Sequence, residues 1–145
     1  MAIKNYTTSI SPTKTVGEIQ MILAKGSAKS VMVDYADNQP QAVRFAIMIG
    51  EQEIWFRLPC QVDGVLASMK RDRLQRSYCN LEQARRTAWR IVKDWVDSQM
   101  AIIDAGQAKA AEVFFPYILQ PTGETLFQKF EAQQLKLTAG NGSND

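Results

Sequence analysis

The sequence predicts an α+β domain: an N-terminal helix with a three- to four-stranded antiparallel sheet, then a helical C-terminal half with one long helix. Three observations predict it. An apolar helical period occupies residues 16–25; a two-residue alternation recurs in three segments between residues 30 and 58, divided by turn residues; and a helical period returns beyond Pro59.

Taken in order, Tyr6, Thr7, Thr8 and Ile10 suit a short strand. Thr15-Val16-Gly17-Glu18 reads as a capping box, with Val16, Ile19, Ile22 and Leu23 on one face and Gly26 as a left-handed stop. Val31, Val33 and Tyr35 alternate before a turn at residues 36–40. Val43, Phe45, Ile47 and Ile49 share a face of the next strand over residues 42–49, and Ile54, Phe56 and Leu58 repeat the pattern after the turn at Gly50. Arg44, Trp55 and Arg57 fall on the opposite face, read as solvated or helix-covered rather than as a binding surface.

Pro59 ends the sheet. Val62, Val65, Leu66 and Met69 make a short amphipathic helix over residues 61–70, and residues 71–79 read as a loop or a loose continuation of it. Asn80 is a good N-cap, with Gln83 at the capping-box position. A stripe of Leu81, Ala84, Ala88, Val92, Trp95 and Gln99 follows, continuing through Met100 and Ile103 to about residue 111, with Gly106 as a break point. Phe114-Phe115-Pro116-Tyr117 stops that helix, and a last one begins near Thr122 or Glu124 and carries Leu126, Phe127 and Phe130. One domain over residues 1–138 and a polar, disordered tail over 139–145 complete the expectation.

Composition narrows the chemistry. Hydrophobic residues make up 46% and charged residues 22%, a globular balance. No apolar run is long enough for a transmembrane helix and no signal core opens the chain, so no membrane partner is expected and the setting reads as cytoplasmic. Cys60 and Cys79 read as reduced thiols, Cys79 lying near Arg76 and a helix start. The chain has no histidine, which removes the commonest general base and zinc ligand and every Ser-His or Cys-His system. No glycine pattern forms a phosphate loop or dinucleotide fingerprint. Asp97 and Asp104 share a helix face while Asp94 faces Arg90, so neither a metal nor a cofactor is expected.

Charge is the most specific signal. Residues 70–93 hold eight of the seventeen basic residues against two acids, Asp72 and Glu82, a local charge of +6, so the rest sums to −4 to give the net +2. Such clustering is a footprint of a polyanion partner. The candidate contacts are Lys70, Arg71, Arg73, Arg76, Arg85, Arg86 and Arg90, with Tyr78 or Trp89 to stack a base. The competing reading is an ordinary solvated face, because Glu82–Arg86, Arg90–Asp94 and Lys93–Asp97 are spaced as intrahelical ion pairs. On the same helix Trp95 reads as core and Trp89 as core or core edge. The run VFFPYIL, with Phe114, Phe115 and Tyr117, either fills the core or forms a dimer or partner patch.

At IKNYTTSI, RTAWRIVKDWVDSQMAIID and AEVFFPYILQPTGETLFQKF the chain resembles a family of small uncharacterised bacteriophage and prophage proteins, which share the W-R-x-x-x-D-W-V-x-x-Q helix and the F-x-P-Y-x-x-x-x-x-G-x-T-L close. The resemblance implies a viral accessory protein inside the host cell and carries over no catalytic residue. The resulting expectation is a non-enzymatic binder of nucleic acid or of a phosphate-bearing ligand. The alternative is an inhibitor that binds a host defence protein. A homodimer is compatible with either.

Overall fold

Ser11 and Pro12 open the first helix, α1 (Pro12–Lys25), in the computed structural model, which describes residues 2–133. The Ser11 hydroxyl accepts from the Lys14 amide at 3.1 Å, and the fixed φ of Pro12 suits the first helical turn. The expected capping box at Thr15 and Glu18 is therefore corrected: the helix starts earlier, Thr15 is fully buried, and both side chains serve another element. Val16, Ile19 and Leu23 are buried, as their spacing predicts.

The helix stop also differs. Gly26 has φ −87°, and the left-handed residue is Ser27 at φ 80°. Gly26 is instead a point of close approach, since a Cβ there would overlap Met100 Cε. Gly26→Ala is expected to cost about 1 kcal/mol, the low end of overpacking, because the obstructing atom ends a flexible chain. In a Met100→Ala background the same change should cost nothing. Urea denaturation of the two single variants and the double variant checks both values.

Two tight turns fold the next segment into β1 (Ser30–Ala36), β2 (Gln39–Ile49) and β3 (Gln52–Pro59), antiparallel in the order β1-β2-β3. Asp37 and Asn38 take φ of 51° and 63°, the positive values a two-residue hairpin needs. β2 begins earlier than expected, with Pro40 opposite Tyr35 at the register shift after Asp34, where a missing N–H is tolerated. The rows Val33–Val43–Leu58 and Val31–Phe45–Phe56 line the core face. Met32–Arg44–Arg57 and Ser30–Ala46–Trp55 line the other.

The helical half comprises α2 (Val62–Arg71), a 3-10 turn Arg76–Tyr78, α3 (Leu81–Asp104), α4 (Ala110–Val113), a second 3-10 turn Phe115–Tyr117 and α5 (Leu126–Ala132). The fold is thus the α+β arrangement expected, with a three-stranded sheet and one long helix among the described residues. α3 stops at Asp104 rather than near residue 111, because Gly106 turns the chain at φ 73°. Thr125 and Gln128 cap α5 reciprocally, which places its start at Leu126. The proposed tail, 139–145, lies outside the described residues. Among those described, no helix is long and apolar enough to cross a membrane.

The strand expected at Tyr6–Ile10 is not formed; residues 4–8 instead lie as a strap against α3. Side chains of α3 take the backbone groups that a sheet would have used. Gln83 Nε2 donates to the carbonyls of Tyr6 and Thr8, both at 2.8 Å, and Thr87 Oγ1 donates to that of Asn5 at 3.3 Å. Asn5 and Lys4 in turn hold Asp94, at 2.9 and 3.4 Å. Burial raises the Asp94 carboxyl, but the Asn5 amide and the Lys4 and Lys93 ammonium groups outweigh it and hold the carboxyl below its ordinary value. Because the folded value lies below the unfolded one, this contribution is complete above about pH 4 and is lost as pH falls through the folded value. Amide hydrogen exchange should therefore show residues 3–8 loosening on acidification below about pH 4. Asp94→Asn should abolish that pH dependence.

Phe45 and Phe56 stack at 5.1 Å, and Phe114 meets Phe45 edge-on at 5.2 Å. Trp95 closes this aromatic group against Phe114 at 5.6 Å. Trp89 and Val96 of α3, with Ile19 and Leu23 of α1, complete the core against the sheet.

Candidate anion-binding site

The basic stretch separates into three parts with different surroundings. In the first, residues 70–76, four basic side chains against Asp72 give a local charge of +3. Lys70, Arg71, Arg73 and Arg76 are all exposed. Arg71 meets Asp72 at 3.3 Å, whereas Lys70, Arg73 and Arg76 have no ion pair among the described residues. Arg73 sits at φ 54°, where the chain leaves α2 toward the 3-10 turn. Tyr78 at the end of that turn packs edge-on against Tyr6, with ring centroids 5.7 Å apart. The loop is thereby tied to the N-terminal strap.

The second part is the start of α3. Asn80 caps it, accepting from the Gln83 amide at 2.9 Å. Arg86 is held by Gln83, whose Oε1 accepts from Arg86 Nε and Nη2 at 3.0 and 2.6 Å. Arg85 is half-buried and makes neither an ion pair nor a hydrogen bond among the described residues. It separates two concavities. One, of about 270 Å³, is lined by Gln41, Cys60, Gln61, Val62, Asp63 and Leu81. The other, of about 230 Å³, is lined by Pro12, Gln39, Glu82 and Arg86. Burial pushes the Cys60 thiol up to about 12, so it stands in the first concavity as a neutral group. Cys79 is half-buried, and both cysteines are free.

The third part is structural. Arg90, with its side chain only 15% exposed, donates to Glu18 at 2.7 Å and to the buried Thr15 hydroxyl at 3.3 Å, locking α3 to α1. Two of the three expected intrahelical pairs are therefore absent. Arg90 turns to Glu18 rather than Asp94, Asp94 is taken by the strap, and Arg86 turns to Gln83 rather than Glu82. Lys93–Asp97 does form, at 3.8 Å.

Several expected contacts are thereby removed from the site. Trp89 is 1% exposed and cannot stack on a base; the more open tryptophan of α3 is Trp95, which borders an apolar hollow with Leu58, Ile91, Val92 and Tyr117. Phe114 is fully buried and cannot form a partner surface. Phe115 is 54% exposed and lies with Pro116, Leu126, Phe127 and Phe130 around a second apolar hollow. No family model, curated protein or solved structure matches the chain.

On the other face of the sheet the charges of Asp34, Arg44, Arg57 and Glu53 are paired. Asp34 Oδ2 accepts from Arg44 Nε at 2.9 Å and Arg57 Nε at 3.1 Å. Glu53 accepts from Lys29 and from the Trp55 indole, both at 2.9 Å, and these bonds hold its carboxyl below the ordinary value. Among the described residues, no three metal-ligating side chains gather.

Proposed function

We propose that the chain is a non-enzymatic accessory protein of phage type that binds a polyanion, nucleic acid or a phosphate-bearing ligand, through the connection between α2 and α3 and the first turns of α3. The observation that carries this reading is the group of cations between residues 70 and 86 that have no ionic partner among the described residues: exposed Lys70, Arg73 and Arg76, and half-buried Arg85 and Arg86. Their neighbours Arg71, Arg90 and Lys93 each have one. Partnerless guanidinium and ammonium groups keep their donors for phosphate, and Arg presents them as a planar fork. The lack of histidine in the sequence favours binding over acid–base turnover. Fluorescence anisotropy with labelled single- and double-stranded DNA tests the proposal. Saturable binding that weakens with salt supports it, and no binding at low salt refutes its nucleic-acid form.

A second reading, a protein-binding inhibitor of host defence or a homodimer, is favoured by a different observation. Phe115 and Phe127 are about half exposed, at 54% and 50%, beside Phe130. Aromatic side chains so placed are common anchors of protein interfaces.

A further inference from the structure

We infer that the cleft around Arg85 binds a nucleoside monophosphate unit, with its phosphate against Arg85 and Arg86 and its heterocycle against Gln41, Gln61 and Asp63. The inference rests on the phosphate-ligand reading above and names the unit that this part of the surface takes.

Arg85 is the first reason. A half-buried guanidinium with no partner among the described residues keeps its fork of donors free, and an anion supplied by a ligand occupies them. Arg85 borders both concavities, so a phosphate placed on it has room on either side. Arg86 stands on one of those sides, already oriented by Gln83 Oε1 through Nε and Nη2.

Size and charge select the ligand. At about 270 and 230 Å³, each concavity falls below the roughly 300–1,000 Å³ of a drug-sized ligand site, so each suits a fragment. A base on one side and a sugar phosphate on the other is such a division. On the phosphate side, Arg85 and Arg86 against Glu82 leave a formal charge of +1. That balance suits a single phosphate better than a triphosphate. On the other side Gln41 and Gln61 offer amide donors and acceptors, while Gln41 Nε2 is already committed to the Gln39 carbonyl. Ionised Asp63 can only accept, so it favours a heterocycle bearing an amino group. Adenine, cytosine and guanine have one; uracil offers only its ring N3–H, flanked by two carbonyl oxygens that repel the carboxylate.

An NMR titration of the full chain with AMP, CMP, GMP and UMP tests the inference. At least one amino-bearing nucleotide is expected to saturate with a Kd below about 1 mM and to move the amides of residues 61–63 and 85. UMP should bind more weakly, and Asp63→Asn should shrink that difference. Arg85→Gln should weaken binding by roughly tenfold or more. A 5′-phosphorylated oligonucleotide that competes better than the free nucleotide places a strand end in the site; the reverse order places a free nucleotide there. No shift with any of the four at millimolar concentration overturns the inference, as does native affinity in folded Arg85→Gln or unchanged preference in Asp63→Asn. DNA binding without nucleotide binding sinks this inference alone. Nucleotide binding without DNA binding sinks the nucleic-acid form of the proposed function and leaves its phosphate-ligand form, on which this inference rests.

Discussion

Trp89→Ala is expected to destabilise the protein by about 3–5 kcal/mol, the range for emptying a large buried aromatic site. Trp89 is 1% exposed and belongs to the core shared by α1, α3 and the sheet. A loss of that size is a large part of the roughly 5–15 kcal/mol that holds a typical domain together. Chemical denaturation gives the value directly. The change should leave anion affinity of the folded fraction intact, because the indole does not reach the surface. A loss below about 1 kcal/mol together with weakened DNA binding would restore the base-stacking role that the sequence suggested.

The second large effect concerns charge. Replacing Lys70, Arg73 and Arg76 together by alanine is expected to weaken duplex DNA binding on the order of a hundredfold or more at 50 mM salt, because three counterion-releasing contacts are removed. Stability should change little, since all three side chains are exposed and have no ionic partner among the described residues. Arg90→Ala is the informative contrast. Its guanidinium holds Glu18 and Thr15, so its removal acts on the α1–α3 contact.

Much of the fold was legible because its signals are local. The sheet follows from period-two runs with one buried face, and Val43, Phe45, Ile47, Phe56 and Leu58 are buried as that pattern requires. α3 was harder to read. Its buried face includes Gln83 and Thr87, polar residues that look exposed until the strap's carbonyls are brought to them, while Leu81 is 42% exposed. Ser11-Pro12 marks the start of α1, a two-residue signal that the sequence reading did not use beside the complete capping-box pattern at Thr15 to Glu18.

The charge cluster was legible as composition but not as geometry. Arg90 meets Glu18 across 72 positions, and Asp94 meets Asn5 across 89, so helical spacing could not supply those partners. Arg85 lies within the predicted basic set. What the sequence could not indicate is that Gln41, Gln61 and Asp63, from β2 and the start of α2, come to stand around it.

Whether these cations grip a polyanion is decided by the salt dependence of duplex DNA affinity for the native chain and for the Lys70, Arg73 and Arg76 alanine variant. Phosphate contacts from Lys70, Arg73, Arg76, Arg85 and Arg86 predict a native slope of log Kobs against log salt of roughly −4 to −5, and the loss of three of them predicts a variant slope smaller in magnitude by about 3. Equal slopes for the two proteins, or no measurable native binding at low salt, would contradict it.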